Sequence, residues 1–279
     1  MAIVLALISA VVYGVSDYCG GRAARSAPLL GVVLLTQLAS ASVTSIVVLV
    51  AGDPFPGGTD VAWSMSAGLM SVTAVGAFYF ALANGAMTVV APITAVVSAV
   101  VPVVVGIALG ERPSVLAMVG VTVAIVAVAL ISGVGGRADR PTGRLTVALA
   151  VLAGTGFGLL FVFLDRTSDD SGFWPLLIGQ LTTLPLVAAA VLVTRTDVRS
   201  VGRAGRLAAG AGTLAVVANV SYLLATREGL LSLVAVITSM YPASTVVLAT
   251  ELDHERLTRL QSIGLGMAVV ALGTVAAGA

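Results

Sequence analysis

The chain reads as one segment written twice, and that constrains its fold more than anything else in it. Residues 85–133 run GAMTVVAPITAVVSAVVPVVVGIALGERPSV and on to a second apolar stretch. Residues 229–277 follow the same plan through GLLSLVAVITSMYPASTVVLATELDHERLTR. A shift of 144 residues superposes Gly85 on Gly229, Thr94 on Thr238, Glu111-Arg112 on Glu255-Arg256 and Gly120 on Gly264. It also carries Tyr13-Gly14 onto Phe157-Gly158, Gly68 onto Gly212 and Phe78 onto Tyr222. The repeat is therefore about half the chain, far longer than the units of soluble solenoids.

Each copy is built from apolar spans of about 20 residues, long enough to cross a bilayer core. Composition says the same thing. The chain is 58% hydrophobic and 10% charged, with mean hydropathy +1.10, where a soluble domain carries about 25% charged residues. So few charges leave the chain too little polar surface to face water all round. The net charge of +1 argues against a nucleic-acid partner. One cysteine, Cys19, excludes an internal disulfide, and one histidine, His254, excludes a His-rich metal site. All basic charge is arginine. The apolar N-terminus lacks the basic region of a secretory signal. It is expected to be a retained first span.

Ten spans are expected, at roughly 2–20, 29–51, 62–84, 87–109, 114–133, 145–164, 173–194, 206–226, 230–250 and 258–277. Period-2 alternation is absent, so the fold class is an all-α membrane protein rather than a β-barrel. The halves are residues 1–136 and 144–279, joined by a connector at 137–143. Five is an odd number, so the second half must enter the membrane inverted. Charge gives independent support. The loop after span 1 holds Arg22 and Arg25, while its counterpart after span 6 holds Asp165, Asp169 and Asp170. The loop after span 2 holds Asp53 and Asp60, and its counterpart holds Arg195, Arg199, Arg203 and Arg206. Opposite charge in equivalent loops is what inverted repeats require.

Odd-numbered loops carry 11 of the 14 arginines. By the positive-inside rule they are cytoplasmic, which places both termini outside.

At these residues the chain resembles the drug/metabolite transporter superfamily, specifically its EamA family, over essentially its whole length. The resemblance is carried by Ala81-Leu82-Ala83-Asn84-Gly85, Val89-Val90-Ala91-Pro92 and Gly110-Glu111-Arg112-Pro113. In the second half it is carried by Gly229, Tyr241-Pro242 and His254-Glu255-Arg256, where His254 replaces a usual glycine. Tyr13–Asp17 with Gly20-Gly21 is similar to an actinobacterial variant. The resemblance implies a ten-helix inner-membrane transporter, often an exporter of amino acids or related metabolites. It also implies cytoplasmic termini, against which we follow the arginine count.

The residues that could carry chemistry are few. Asp17 is the only acid well inside a span, where a charge costs about 2.5–3.5 kcal/mol on insertion scales. It reads as a proton- or cation-coupling carboxylate, or as the partner of Arg22 or Arg25. Gln37, Gln180 and Asn219 are mid-span amides, expected to line a polar central cavity or to bond neighbouring helices. Tyr13, Tyr222 and Tyr241 are cavity candidates, with Ser98 standing where the second half has Pro242. Pro92, Pro102, Pro185 and Pro242 lie within spans and are hinge candidates, each removing a backbone donor. Gly106-x-x-x-Gly110 and Gly154-x-x-x-Gly158 are expected to be helix-packing faces. The Glu-Arg pairs are expected to cap or pair at helix ends. Nothing resembles a nucleophile–base set or a phosphate-binding loop, so an enzyme is not expected, nor a cofactor. The expected function is an integral membrane secondary transporter in the plasma membrane, exporting a small polar or amphipathic metabolite by proton exchange or by facilitated diffusion. A homodimer through spans 5 and 10 is allowed. The alternative is a non-transporting membrane scaffold.

Overall fold

The computed structural model describes residues 1–84, 87–132, 143–253 and 257–278. Its helices are α1 (Ala2–Ala24), α2 (Leu29–Ala51), α3 (Gly58–Asn84), α4 (Met87–Ala108) and α5 (Val115–Ile131) in the first half. The second half holds α6 (Arg144–Asp165), α7 (Trp174–Val193), α8 (Ala204–Glu228), α9 (Leu231–Thr238), α10 (Pro242–Asp253) and α11 (Arg259–Gly278). Helix is the expected form, because a bilayer offers no water and each backbone group must bond within its own segment. Short polar residues set the ends. Ser114 caps α5 by accepting from the Ala117 amide at 3.1 Å, and Gly52 ends α2 in the left-handed conformation at φ 69°. Among the described residues, nine segments are long and apolar enough to cross a membrane. The tenth, α5, has 17 residues and reaches about 26 Å. Leu49, Val50, Val115, Val193 and Val269 each expose more than 70% of their surface, which is stable only against lipid.

The register of the contacts fixes the directions. In α1, Ser9 donates to the Ala218 carbonyl and Ser16 to that of Ala211, so α1 and α8 are antiparallel. The mates α6 and α3 do the same: Gly156 lies against Ala74, and Phe163 against Trp63. Next to them, α2 runs parallel to α8, with Thr36 donating to Ala208 and Ser40 to Gly212. Its mate α7 runs parallel to α3, with Gly179 against Ser64 and Thr183 donating to Gly68. Finally α5 and α11 cross antiparallel, Gly120 against Val275 and Gly264 against Ile131. Exchanging the halves maps each pairing onto one of the same relative direction, α5–α11 onto itself, with each helix running opposite to its mate. The molecule is two inverted five-span repeats.

Small residues make this approach possible. A Cβ at Gly68 would strike the Gly179 carbonyl, and one at its mate Gly212 would strike the Thr36 carbonyl. Likewise Gly154 and Gly158 seat α6 on Val97 and Val101 of α4, as expected for that pair.

Two expectations are corrected and a third is sharpened. The ninth span is two helices, because Pro242 has no amide to donate and its ring excludes the preceding carbonyl. The chain passes between α9 and α10 through tight turns, Met240 bonding back to Ile237 and Tyr241 to Thr238. Gly106-x-x-x-Gly110 is not a helix-packing face. Gly106 leaves room for the Glu111 carboxylate, and Gly110 makes the turn that follows α4 at φ 100°. The capping role of Glu111 crosses the halves: it accepts from the amides of Leu231 and Ser232, at the start of α9. Its repeat mate Glu255, with His254 and Arg256, lies outside the described residues.

Candidate translocation site

The centre of the bundle is set by where α9 stops. All eight residues of α9 are buried, walled by α1, α4, α5 and α8. The same half of the molecule is knit by polar contacts between the repeats. Asp60 accepts from both the amide and the hydroxyl of Ser168, at 2.9 and 2.7 Å. Asp53 accepts from the Phe173 amide at 3.2 Å, and its carbonyl from the Trp174 indole at 3.0 Å. Within the second repeat, Arg227 braces the same loop, donating to the Gly172 carbonyl at 2.6 Å and facing Asp169 at 3.4 Å. We call this face, which also carries residue 1, the N-face. On the opposite, arginine-rich face the two halves meet through Ala23 and Val32 against Val201, Ala204 and Ala208, an apolar contact.

Tyr13, Asn219 and Tyr241 meet at mid-depth, where α9 ends. Tyr13 donates to Asn219 Oδ1 at 2.6 Å, and the Asn219 amide donates to the Ala215 carbonyl at 2.7 Å. The Tyr13 and Tyr241 rings lie 6.3 Å apart, tilted by 54°. Gly14 makes the approach possible: a Cβ there would come within 2.6 Å of the Tyr241 carbonyl. Ser244 and Thr245 of α10 then donate to the Ala10 and Gly14 carbonyls of α1.

Asp17 lies one turn beyond Tyr13 on the same face of α1, toward the arginine-rich face. Its neighbours Gly14 and Ser16 are buried against α10 and α8, yet Asp17 itself is exposed. An exposed carboxylate on an inward-turned face opens onto a space within the bundle. Gln37 shares this depth. It adjoins Thr36, whose hydroxyl bonds Ala208, just as Asp17 adjoins Ser16, whose hydroxyl bonds Ala211.

The other candidates fall elsewhere. Gln180 stands on α7 nearer the N-face, with its Oε1 buried and without a partner. Tyr222 is fully buried, donates to the Phe161 carbonyl at 3.0 Å and packs on the Phe161 ring at 4.6 Å. It braces α8 against α6 and stands apart from the cluster. Ser98 is buried and bonds back to the Ala95 carbonyl at 2.9 Å. Of the hinge candidates, Pro242 marks a break, whereas helices α4 and α7 run on through positions 92, 102 and 185. Two groups escaped the sequence reading. Thr238 Oγ1 and Ser239 Oγ, at the break, are buried without a partner, and only the proline beside them hinted at it.

A ten-span inverted repeat with a polar centre is the plan of a carrier, and the family models decide which one. The model of the EamA-like transporter family matches residues 1–133 and again residues 144–276. The chain belongs to the EamA-like transporter family. It is thus a multi-pass membrane protein of a transporter family, with a lipid bilayer around it and a small molecule as the expected cargo. Among solved structures, one titled only "Crystal structure of protein" superposes with TM-score 0.78 at 15% identity, covering 98% of this chain and 95% of that one. That likeness concerns the fold alone. No curated protein matches the sequence at a significant level.

Proposed function

We propose that this EamA-family protein is a secondary transporter that exports small polar or amphipathic metabolites, such as amino acids or related compounds, by alternating access. The observation that carries the reading is Asp17: an exposed carboxylate, turned into the bundle beside Tyr13, Asn219 and Tyr241, above a buried α9. A site reached from one face and stopped short of the other is half of an alternating-access cycle. The second half follows by exchanging the roles of the inverted repeats. In that step the contacts that Asp53 and Asp60 make between the repeats part. The break at Pro242 lets α10 tilt with α1 while α9 holds its place.

The arginine-rich face is cytoplasmic by the charge rule, so the conformation described receives cargo from inside the cell. Both termini then lie outside. A reporter at Ala279 active only in the cytoplasm contradicts this orientation.

Asp17 serves as the coupling carboxylate, exchanging a proton for cargo. Flux driven by a pH gradient is expected in proteoliposomes of the native protein and lost in Asp17→Asn; equal gradient-driven flux in both refutes the coupling role. The reading as a whole is tested by comparing metabolites exported by overexpressing and deletion strains. The competing scaffold reading predicts no difference, and no flux of any metabolite from folded, reconstituted protein.

A further inference from the structure

We propose that the site takes an organic monocation, a molecule presenting an ammonium group, in preference to zwitterions, anions and neutral molecules. This rests on reading the cluster at Asp17 as the cargo site.

Most of the donors and acceptors around Asp17 are already spent on one another. Tyr13 spends its hydroxyl proton on Asn219, so toward the cavity its oxygen is an acceptor. Asn219 spends a donor on the Ala215 carbonyl. Asp17 is a carboxylate and accepts only. The start of α10, the natural cradle for an anion, has most of its amides spent or missing. Pro242 has no amide hydrogen, and the amides of Ala243 and Thr245 are bonded to the carbonyls of Met240 and Tyr241. The hydroxyls of Ser244 and Thr245 are bonded to the carbonyls of Ala10, Gly14 and Tyr241. At this level Asp17 and the Tyr13 oxygen face the ligand as acceptors, and the hydroxyls of Thr238 and Ser239 are the unspent donors beside them.

Charge points the same way. The sequence has no lysine, and among the described residues every arginine lies in a loop or within a turn of a helix end. A carboxylate or phosphate at mid-depth meets no counter-charge among the described residues, and desolvating it is costly. An ammonium group meets Asp17 in a charge-assisted hydrogen bond. It also meets the two tyrosine rings, set at 54° and 6.3 Å apart, an open corner whose faces attract a cation. The carbonyl end of α9, pointing at the same level, adds the negative end of a helix dipole.

The test uses four probes with one ring and four charge states: phenethylamine, phenylalanine, 3-phenylpropionate and 2-phenylethanol. Binding to the purified protein in detergent is measured by isothermal titration. The expected result is a Kd for phenethylamine at least about tenfold below each of the others, the ratio for a net 1.4 kcal/mol of charge recognition. Asp17→Asn removes that preference while its melting midpoint stays near the native value. Asp17→Glu keeps a preference and guards against a misfolded Asn variant. Phenylalanine or 3-phenylpropionate binding as tightly as the amine overturns the inference. So does an undiminished preference in Asp17→Asn, or no binding of any probe. Binding needs no transport, so the two readings fail separately. A cation-selective protein that passes nothing in proteoliposomes sinks the transporter reading. A transporter indifferent to charge sinks only this one.

Discussion

Glu111 shows how one side chain can hold two halves together. Its carboxylate accepts from the two amides that open α9, and Gly106 is small so that it fits. Removing it leaves two buried donors at a helix start, at about 1–3 kcal/mol each. Glu111→Ala is expected to lower the melting midpoint in detergent by several degrees, and Glu111→Gln, which keeps one acceptor, by less. At Gly14, where a Cβ would come within 2.6 Å of the Tyr241 carbonyl, Gly14→Val forces α1 and α10 apart. A loss of about 1–3 kcal/mol is expected, with cargo binding falling alongside; a variant that binds normally argues that this contact does not shape the site. At this scale the sequence was only partly legible. The cap at Glu111 was expected, but not that its partner helix lies 120 residues on. The role of Tyr222 was not legible at all, because a tyrosine bonded to a backbone carbonyl and one facing a cavity have the same neighbours in sequence.

At the scale of elements, hydropathy gave the spans well, since lipid demands long apolar helices whatever their sequence detail. It could not show that the ninth span divides. A proline within a span ends the helix at Pro242 but not at Pro102 or Pro185, and the difference lies in packing. At Pro242 the chain turns where Gly14 admits the Tyr241 backbone to α1. Pro242→Ala restores the missing donor and favours a continuous helix. The protein is expected to stay folded, with unchanged helix content by circular dichroism, and to transport several-fold more slowly because α10 no longer tilts apart from α9. Native rates in this variant contradict a moving part at the break.

The whole molecule was the most legible level, because its symmetry is written in the chain. Gly68 and Gly212, 144 positions apart in sequence, make mirror contacts with the Gly179 and Thr36 carbonyls. What breaks the symmetry is conformational and leaves no trace in composition. The N-face joins the repeats through Asp53 and Asp60, whereas the opposite face sets Ala23 and Val32 against Val201, Ala204 and Ala208. The account's central claim is that these contacts must part for cargo to cross. The direct measurement places cysteines at Asp60 and Ser168 in a Cys19→Ala background and joins them with a short thiol cross-linker. Flux of a mixed panel of labelled amines and amino acids is then followed in proteoliposomes. The account predicts that flux stops when the pair is linked and returns when a cleavable linker is cut. Undiminished flux through fully linked protein would contradict it.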